Sequence, residues 1–219
     1  MLPILSVLET RVLGVLVEKE RTVPDSYPLT LNALIAGCNQ KTSRDPIINA
    51  GETEVQAAVD SLKAKTLVIE SSGGRVQRYT HNIERVLRVP RQASALLAVL
   101  MLRGPQTAGE LRINCERLHP FTDISAVEAF LHELAERAAG ALAVELPRQA
   151  GARENRWAHL LSGTPVLPEI AASVTVAEPG GLAVSEIAAL KANLARLEAD
   201  VSELKALVAR LYSELGVRG

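Results

Sequence analysis

The chain has 219 residues, 47% of them hydrophobic, and a formal net charge of −1. That is enough apolar material for packed cores, and near-neutrality excludes a polycationic nucleic-acid coat while leaving room for a local basic face. Two Phe, three Tyr and one Trp are too few rings for a base-stacking, single-strand-binding platform.

In chain order, Met1 to Val17 is apolar but holds Glu9 and Arg11 and runs into Glu18-Lys19-Glu20. It lacks a basic start and a small-residue cleavage site, so no signal peptide is expected. Ser6 with Glu9 forms a capping box, and Leu8, Val12, Leu13, Leu16 and Val17 recur at helical spacing, which predicts a first helix. Two prolines interrupt Val23 to Pro28. Leu31, Leu34, Ile35 and Cys38 predict a shorter second helix, and the polar stretch Asn39 to Pro46 ends it. Glu52 to Lys65 is the third, with Val55, Val59 and Leu62 on one face. Leu67 to Glu70 and Arg75 to His81 read as two strands around a Ser-Ser-Gly-Gly turn.

The same order then recurs. Thr30-x3-Leu34-x3-Cys38 is matched by Thr107-x3-Leu111-x3-Cys115, and Arg78-Tyr79-Thr80-His81 by Arg156-Trp157-Ala158-His159. Ala93 to Leu102 is the first helix of the second copy; it is far too short to span a bilayer, so a soluble cytoplasmic protein without membrane contact is expected. Thr107 with Glu110 caps the next helix. Ser125 with Glu128 caps the third, whose inner face is Val127, Phe130, Leu131 and Leu134. Strands over Leu142 to Leu146 and Arg153 to Leu161 flank a turn at Pro147 to Ala152. Three helices and a hairpin, twice, is the winged-helix order. The expected fold class is α+β, mostly helical with small hairpins: winged-helix domains at 1–88 and 89–163, a linker at 164–184 and a coiled-coil helix at 185–216.

The tail carries clean heptads. Ile187, Leu194, Val201, Val208 and Leu215 take one core position, and Leu190, Leu197, Leu204 and Leu211 the other. Branched residues at a with Leu at d favour two parallel strands. Glu186 opposite Lys191 and Asp200 opposite Lys205 agree with that orientation, at about 0.5 kcal/mol per pair. The expected partner is therefore a second copy of the chain. The competing arrangement, a helix folded back on its own chain, usually needs a wider apolar stripe.

Cys38 and Cys115 occupy equivalent places and read as buried thiols, since a disulfide framework or zinc site needs more ligands. His81 and His159 end matching strands, which suggests a packing task. His119 and His132 have no metal-ligand spacing. No nucleophile–base order, glycine-rich phosphate loop or compelling carboxylate pair occurs, so neither an enzyme nor a cofactor is expected.

Winged helices most often read duplex DNA with the third helix. Here the second copy's third helix carries Asp123, Glu128, Glu133 and Glu136 against Arg137, a poor match to phosphate. The first is ambivalent, with Gln56, Lys63 and Lys65 as candidate contacts. Other cations gather in the polar loop (Lys41, Arg44), on the first wing (Arg75, Arg78), ahead of the second copy (Arg85, Arg88, Arg91) and on the second wing (Arg148, Arg153, Arg156).

Several strings resemble the YceH-like family of bacterial proteins: Glu18-Lys19-Glu20, Tyr27-Pro28-Leu29, Leu31-Asn32-Ala33-Leu34, Cys38-Asn39-Gln40-Lys41, Arg44-Asp45-Pro46, Leu102 to Thr107, Gly109 to Arg112, and Arg153 through Gly163. The resemblance covers about residues 5 to 163 and implies tandem winged helices, often with a helical tail, but no activity. Thr42-Ser43, Ile113-Asn114 and Trp157 depart from the family pattern; the missing arginine at position 114 weakens a nucleic-acid role for the second copy. Two readings follow. One is a dimeric DNA-binding or transcription-regulatory factor, favoured narrowly on fold frequencies. The other is a protein-interaction adapter that uses winged-helix surfaces without touching DNA.

Overall fold

Ser6 opens the fold as its sequence neighbours demand. Glu9 N donates to Ser6 Oγ at 3.1 Å and Ser6 N donates to Glu9 Oε2 at 2.6 Å, closing the capping box that starts helix α1, Val7–Thr22. In this computed structural model, residues 4–71, 76–148 and 154–165 are described. The chain divides into two units, Met1–Leu167 and Pro168–Gly219, and all of the described residues belong to the first. The expected coiled coil, its core residues Ile187 to Leu215, most of the linker, and Arg75 and Arg153 lie outside the described residues.

The described unit is α+β. Helices α2 (Leu31–Cys38) and α3 (Glu52–Ala64) precede strands β1 (Val68–Ser71) and β2 (Arg78–His81). A short helix α4 (Ile83–Leu87) follows, then α5 (Arg91–Arg103), α6 (Ala108–Cys115), α7 (Ile124–Ala135) and strands β3 (Ala143–Leu146) and β4 (Arg156–His159). Each hairpin is antiparallel, with Val68 opposite His81 and Ala143 opposite His159. The chain just before each second helix adds a bridge to the return strand: Leu29 pairs with Tyr79, and Gln106 with Trp157. Beside these bridges, Arg78 Nη1 donates to Pro28 O at 2.7 Å and Arg156 Nη1 to Pro105 O at 2.9 Å. The repeated tetrapeptides thus do the same work twice: an arginine tethers the strand, and the next residue (Tyr79, Trp157) fills the core.

The two copies do not have separate cores. One cluster of buried side chains runs through both, because α1 packs along α5. The sequence pattern predicts a one-sided α1, yet Glu9 to Val17 are all buried, since α2 and α3 cover one side and α5 another. Close approach needs glycine at two places. A Cβ on Gly37 would lie 2.6 Å from Val15 Cγ1, and one on Gly14 would lie 2.9 Å from Leu102 Cγ. Further ties join the copies: Leu5 N donates to Leu161 O at 2.7 Å and Asp45 N to Leu102 O at 2.8 Å.

Three local expectations change. Helix α7 is capped by Asp123, whose Oδ1 accepts from Ala126 N at 2.8 Å, so Ser125 is already inside the first turn. Strand β1 is shifted by one residue, to Val68–Ser71, and the other three are shorter than predicted, starting at Arg78, Ala143 and Arg156. Helix α4 was not predicted; its five residues have no side-chain cap and end at Arg88 with φ 51°.

Candidate interaction surface

Two arginines build the interior, one of them expected on the surface. Arg44 is a correction to the nucleic-acid set: its side chain is 0% exposed and its guanidinium grips the Glu18 carboxylate, Nη2 to Oε2 at 2.6 Å and Nη1 to Oε1 at 3.1 Å. It also donates to Gly37 O at 3.1 Å, to Ser43 O at 2.8 Å and to Gln40 Oε1. Arg11, 1% exposed, donates to Cys38 O at 3.0 Å and Pro46 O at 2.6 Å. The carbonyls of Gly37 and Cys38 are the unpaired, partly negative end of α2, so two guanidiniums cap one helix terminus. Burial by itself would raise the Glu18 carboxyl, but Arg44, and after it Lys19, outweigh that and hold it below the usual carboxylate value.

Lys65 is half-buried and engaged, bonded to the buried Glu9 carboxylate and to Ser61 Oγ at 2.6 Å. Lys63 bonds Glu70 and lies 3.6 Å from Asp60. Gln56 is half-buried, with Oε1 3.5 Å from the Tyr79 hydroxyl. Arg78 is exposed but tethered to Pro28, and Arg148 lines a cavity with the carboxylates of Glu128, Glu145 and Glu154. Lys41 is exposed on the loop after α2 and has no ion-pair partner among the described residues. These side chains are spread over the α2–α3 loop, α3 and its end, β2 and the end of β3, and Arg148 is the only one of them to line a described cavity.

The outward faces of the third helices are acidic. Glu52, Glu54 and Asp60 are exposed on α3; Glu128, Glu133 and Glu136 are exposed on or just after α7. His132 is exposed as well, its ring edge-on to Trp157 at 5.1 Å.

What the sequence did not single out is a cleft between the copies. The end of α1, the loop after α2, the end of α5 and the end of α6 enclose about 380 Å³. Lys19, Arg103 and Arg117 line it, with the hydroxyls of Thr42 and Ser43 and the Asn114 amide. Arg103 Nη2 donates to Ser43 Oγ at 2.7 Å, and Lys19 Nζ donates to Gln40 Oε1 at 3.3 Å. Glu18 is the one carboxylate among the lining residues, and Arg44 already holds it. Ile113, 72% exposed, stands on the wall beside Leu118. The available sequence signal was the apolar Ile113 on an otherwise polar stretch of α6.

The two cysteines are buried, free and unlike reactive thiols; desolvation pushes each up to about 12. His159 is pushed down to about 4 by burial, with Nδ1 unpartnered among the described residues. No group of three or more metal-ligating side chains occurs among the described residues, and no helix there is long and apolar enough to cross a membrane.

Residues 5–152 match a family model described as a protein of unknown function, DUF480. Relatives are similar over most of their length. A UPF0502 protein of Dechloromonas aromatica is 61% identical over 206 residues, covering 94% of this chain and 95% of the relative. Another from Burkholderia ambifaria is 56% identical over 213 residues, at 97% and 90% coverage. A third from Burkholderia multivorans is 58% identical over 216 residues, again at 97% and 90%.

Proposed function

For a chain that belongs to the DUF480 family, we propose a role as a non-enzymatic protein-interaction adapter built from two winged-helix units in tandem. The repeated order of three helices and a hairpin, with its matched bridges at Leu29–Tyr79 and Gln106–Trp157, supports the winged-helix assignment. The observation that carries the adapter reading is electrostatic. The helices that would enter a DNA groove present carboxylates, while Arg44, Lys63 and Lys65 are engaged with Glu18, Glu70 and Glu9. Affinity for a duplex depends on neutralising phosphates with available cations. An apolar side chain left as exposed as Ile113 suits a protein contact better.

On this reading the chain works in the cytoplasm, where unpaired thiols persist. Its heptad tail, Ile187 to Leu215, pairs in parallel with a second copy. Light scattering on the full chain and on one ending at Val184 tests the pairing; equal subunit numbers per particle would remove it.

The second reading, a dimeric DNA-binding regulator, draws on Lys41, exposed and unpaired among the described residues, and on the exposed Arg78 and Arg148. Fluorescence anisotropy with mixed-sequence duplex at about 50 and 200 mM salt separates the two. The adapter leaves the duplex unbound at both. Binding that weakens steeply with salt, and weakens further in Lys41→Ala, would replace the adapter with the regulator.

A further inference from the structure

The cleft between the copies does not stop at its polar wall. A second hollow of about 260 Å³ lies along α2 and shares Lys19, Val23 and Gln40 with it, so the two adjoin along a common edge as a two-part trough. The two ends differ in chemistry. The α2 end is floored by Val23, Leu29 and the small exposed faces of Ala33 and Ala36, which leave room for a visiting side chain. The far end is cationic, with Arg103 and Arg117.

We infer that this trough docks an extended segment of another protein carrying an apolar side chain next to two or more carboxylates. The inference rests on the adapter reading for the class of partner, and on charge complementarity for the rest. Arg117 is exposed and has no ion-pair partner among the described residues. Arg103 gives one donor to Ser43 Oγ, so most of its planar fork remains for a carboxylate. Lys19 lies 3.2 Å from Glu18, but Arg44 already grips that carboxylate in a bidentate pair, so its charge does not cancel the cations around it. An apolar anchor in the α2 hollow supplies buried area, and the carboxylates set direction along the trough. A nucleic-acid strand matches the cations but not the apolar floor. A small free anion matches the cations but leaves Val23 and Ile113 uncovered.

The test is a selection of displayed random dodecapeptides on the immobilised full chain, followed by fluorescence polarisation with the winning peptides. The peptides are expected to place Leu, Ile, Val or Phe beside Asp or Glu. Their affinity should fall about tenfold or more in Arg117→Glu and in Ile113→Asp, both exposed positions that leave the fold intact, and should weaken with salt. Glu133→Lys on α7, away from the trough, should change nothing.

Peptides that bind equally well to both trough variants but are weakened by Glu133→Lys would overturn the site and leave the adapter reading standing. No peptide binder, together with salt-sensitive duplex binding, would overturn both. Inorganic pyrophosphate binding lost in Arg117→Glu, with no peptide selected, would make the trough a small-anion site and overturn the inference. Displacement of a peptide by excess chain carrying both Arg117→Glu and Ile113→Asp, whose own trough is disabled, would assign the trough to a second copy and overturn it likewise.

Discussion

Replacing Arg44 with alanine should weaken folding rather than merely remove a surface charge. The side chain is fully buried and makes a two-pronged contact with Glu18, at 2.6 and 3.1 Å, along with bonds to Gly37 O, Ser43 O and Gln40. Removing one partner of a buried ion pair costs about 3–5 kcal/mol, because the other is left desolvated and unpaired. Glu18 keeps some solvent contact and has Lys19 3.2 Å away, which places the expected loss at the lower end, about 3 kcal/mol. Urea unfolding followed by far-ultraviolet circular dichroism at neutral pH measures it.

The pH dependence has a defined sign. Arg44 depresses the Glu18 carboxyl in the folded state, so the pair's contribution is present in full above the ordinary value of 4.5 and is lost as pH falls through the depressed one. The gap between wild type and Arg44→Ala should therefore narrow in acid. Glu18→Gln combined with Arg44→Ala should cost less than the sum of the single changes. A variant within about 0.5 kcal/mol of wild type would refute the buried role and return Arg44 to the set of exposed cations.

Gly37→Ala should destabilise by a net of about 1–2 kcal/mol: at 2.6 Å from the stiff Val15, overpacking falls in the upper part of its usual range, about 2–3, offset in part by alanine's helix preference, about 1. Thermal unfolding would detect it, and a neutral or raised midpoint would refute the close α1–α2 approach. His159 is neutral when folded because burial lowers it to about 4, while the unfolded chain protonates it near 6.5. Its contribution is thus complete above pH 6.5 and declines towards pH 4, so His159→Gln should flatten stability between pH 7 and 5 relative to wild type. Cys38 and Cys115, buried and raised to about 12, should resist a thiol reagent at pH 8 until denaturant is added; fast labelling of the native chain would contradict their placement.

What was legible in the sequence was what is local. Ser6 with Glu9 and Thr107 with Glu110 close their capping boxes as read, because each needs only four consecutive residues. The same logic misplaced the α7 cap, since Asp123 stands two residues ahead of Ser125 and reaches the free Ala126 amide first. Arg44 looked like a loop cation because its carboxylate is 26 residues away on another helix. Lys65 was misread for the same reason, its partner Glu9 being 56 residues distant. The trough draws its lining from four elements of two copies, so no window of sequence contains it. The parallel zipper rests on residues outside those described, and its test is the mass of the particle.

The two copies finish their second helices differently, and that difference explains where the trough lies. In the first copy the last carbonyls of α2 accept from Arg44 and Arg11, and this draws the following loop down onto the junction, where Asp45 N meets Leu102 O and Ser43 meets Arg103. In the second copy the Cys115 carbonyl accepts from Leu118 N at 2.7 Å and His119 N at 2.8 Å, a turn made by the backbone alone. No arginine is required there, so Arg117 stays at the surface and Ile113 stays uncovered. One terminus is braced by buried cations while the other leaves its cation and its apolar residue available. If Arg44 is the brace, its loss should also loosen the Ser43–Arg103 contact and weaken trough binding without any change to the trough's own lining, a coupling that the peptide assay and the unfolding assay read independently.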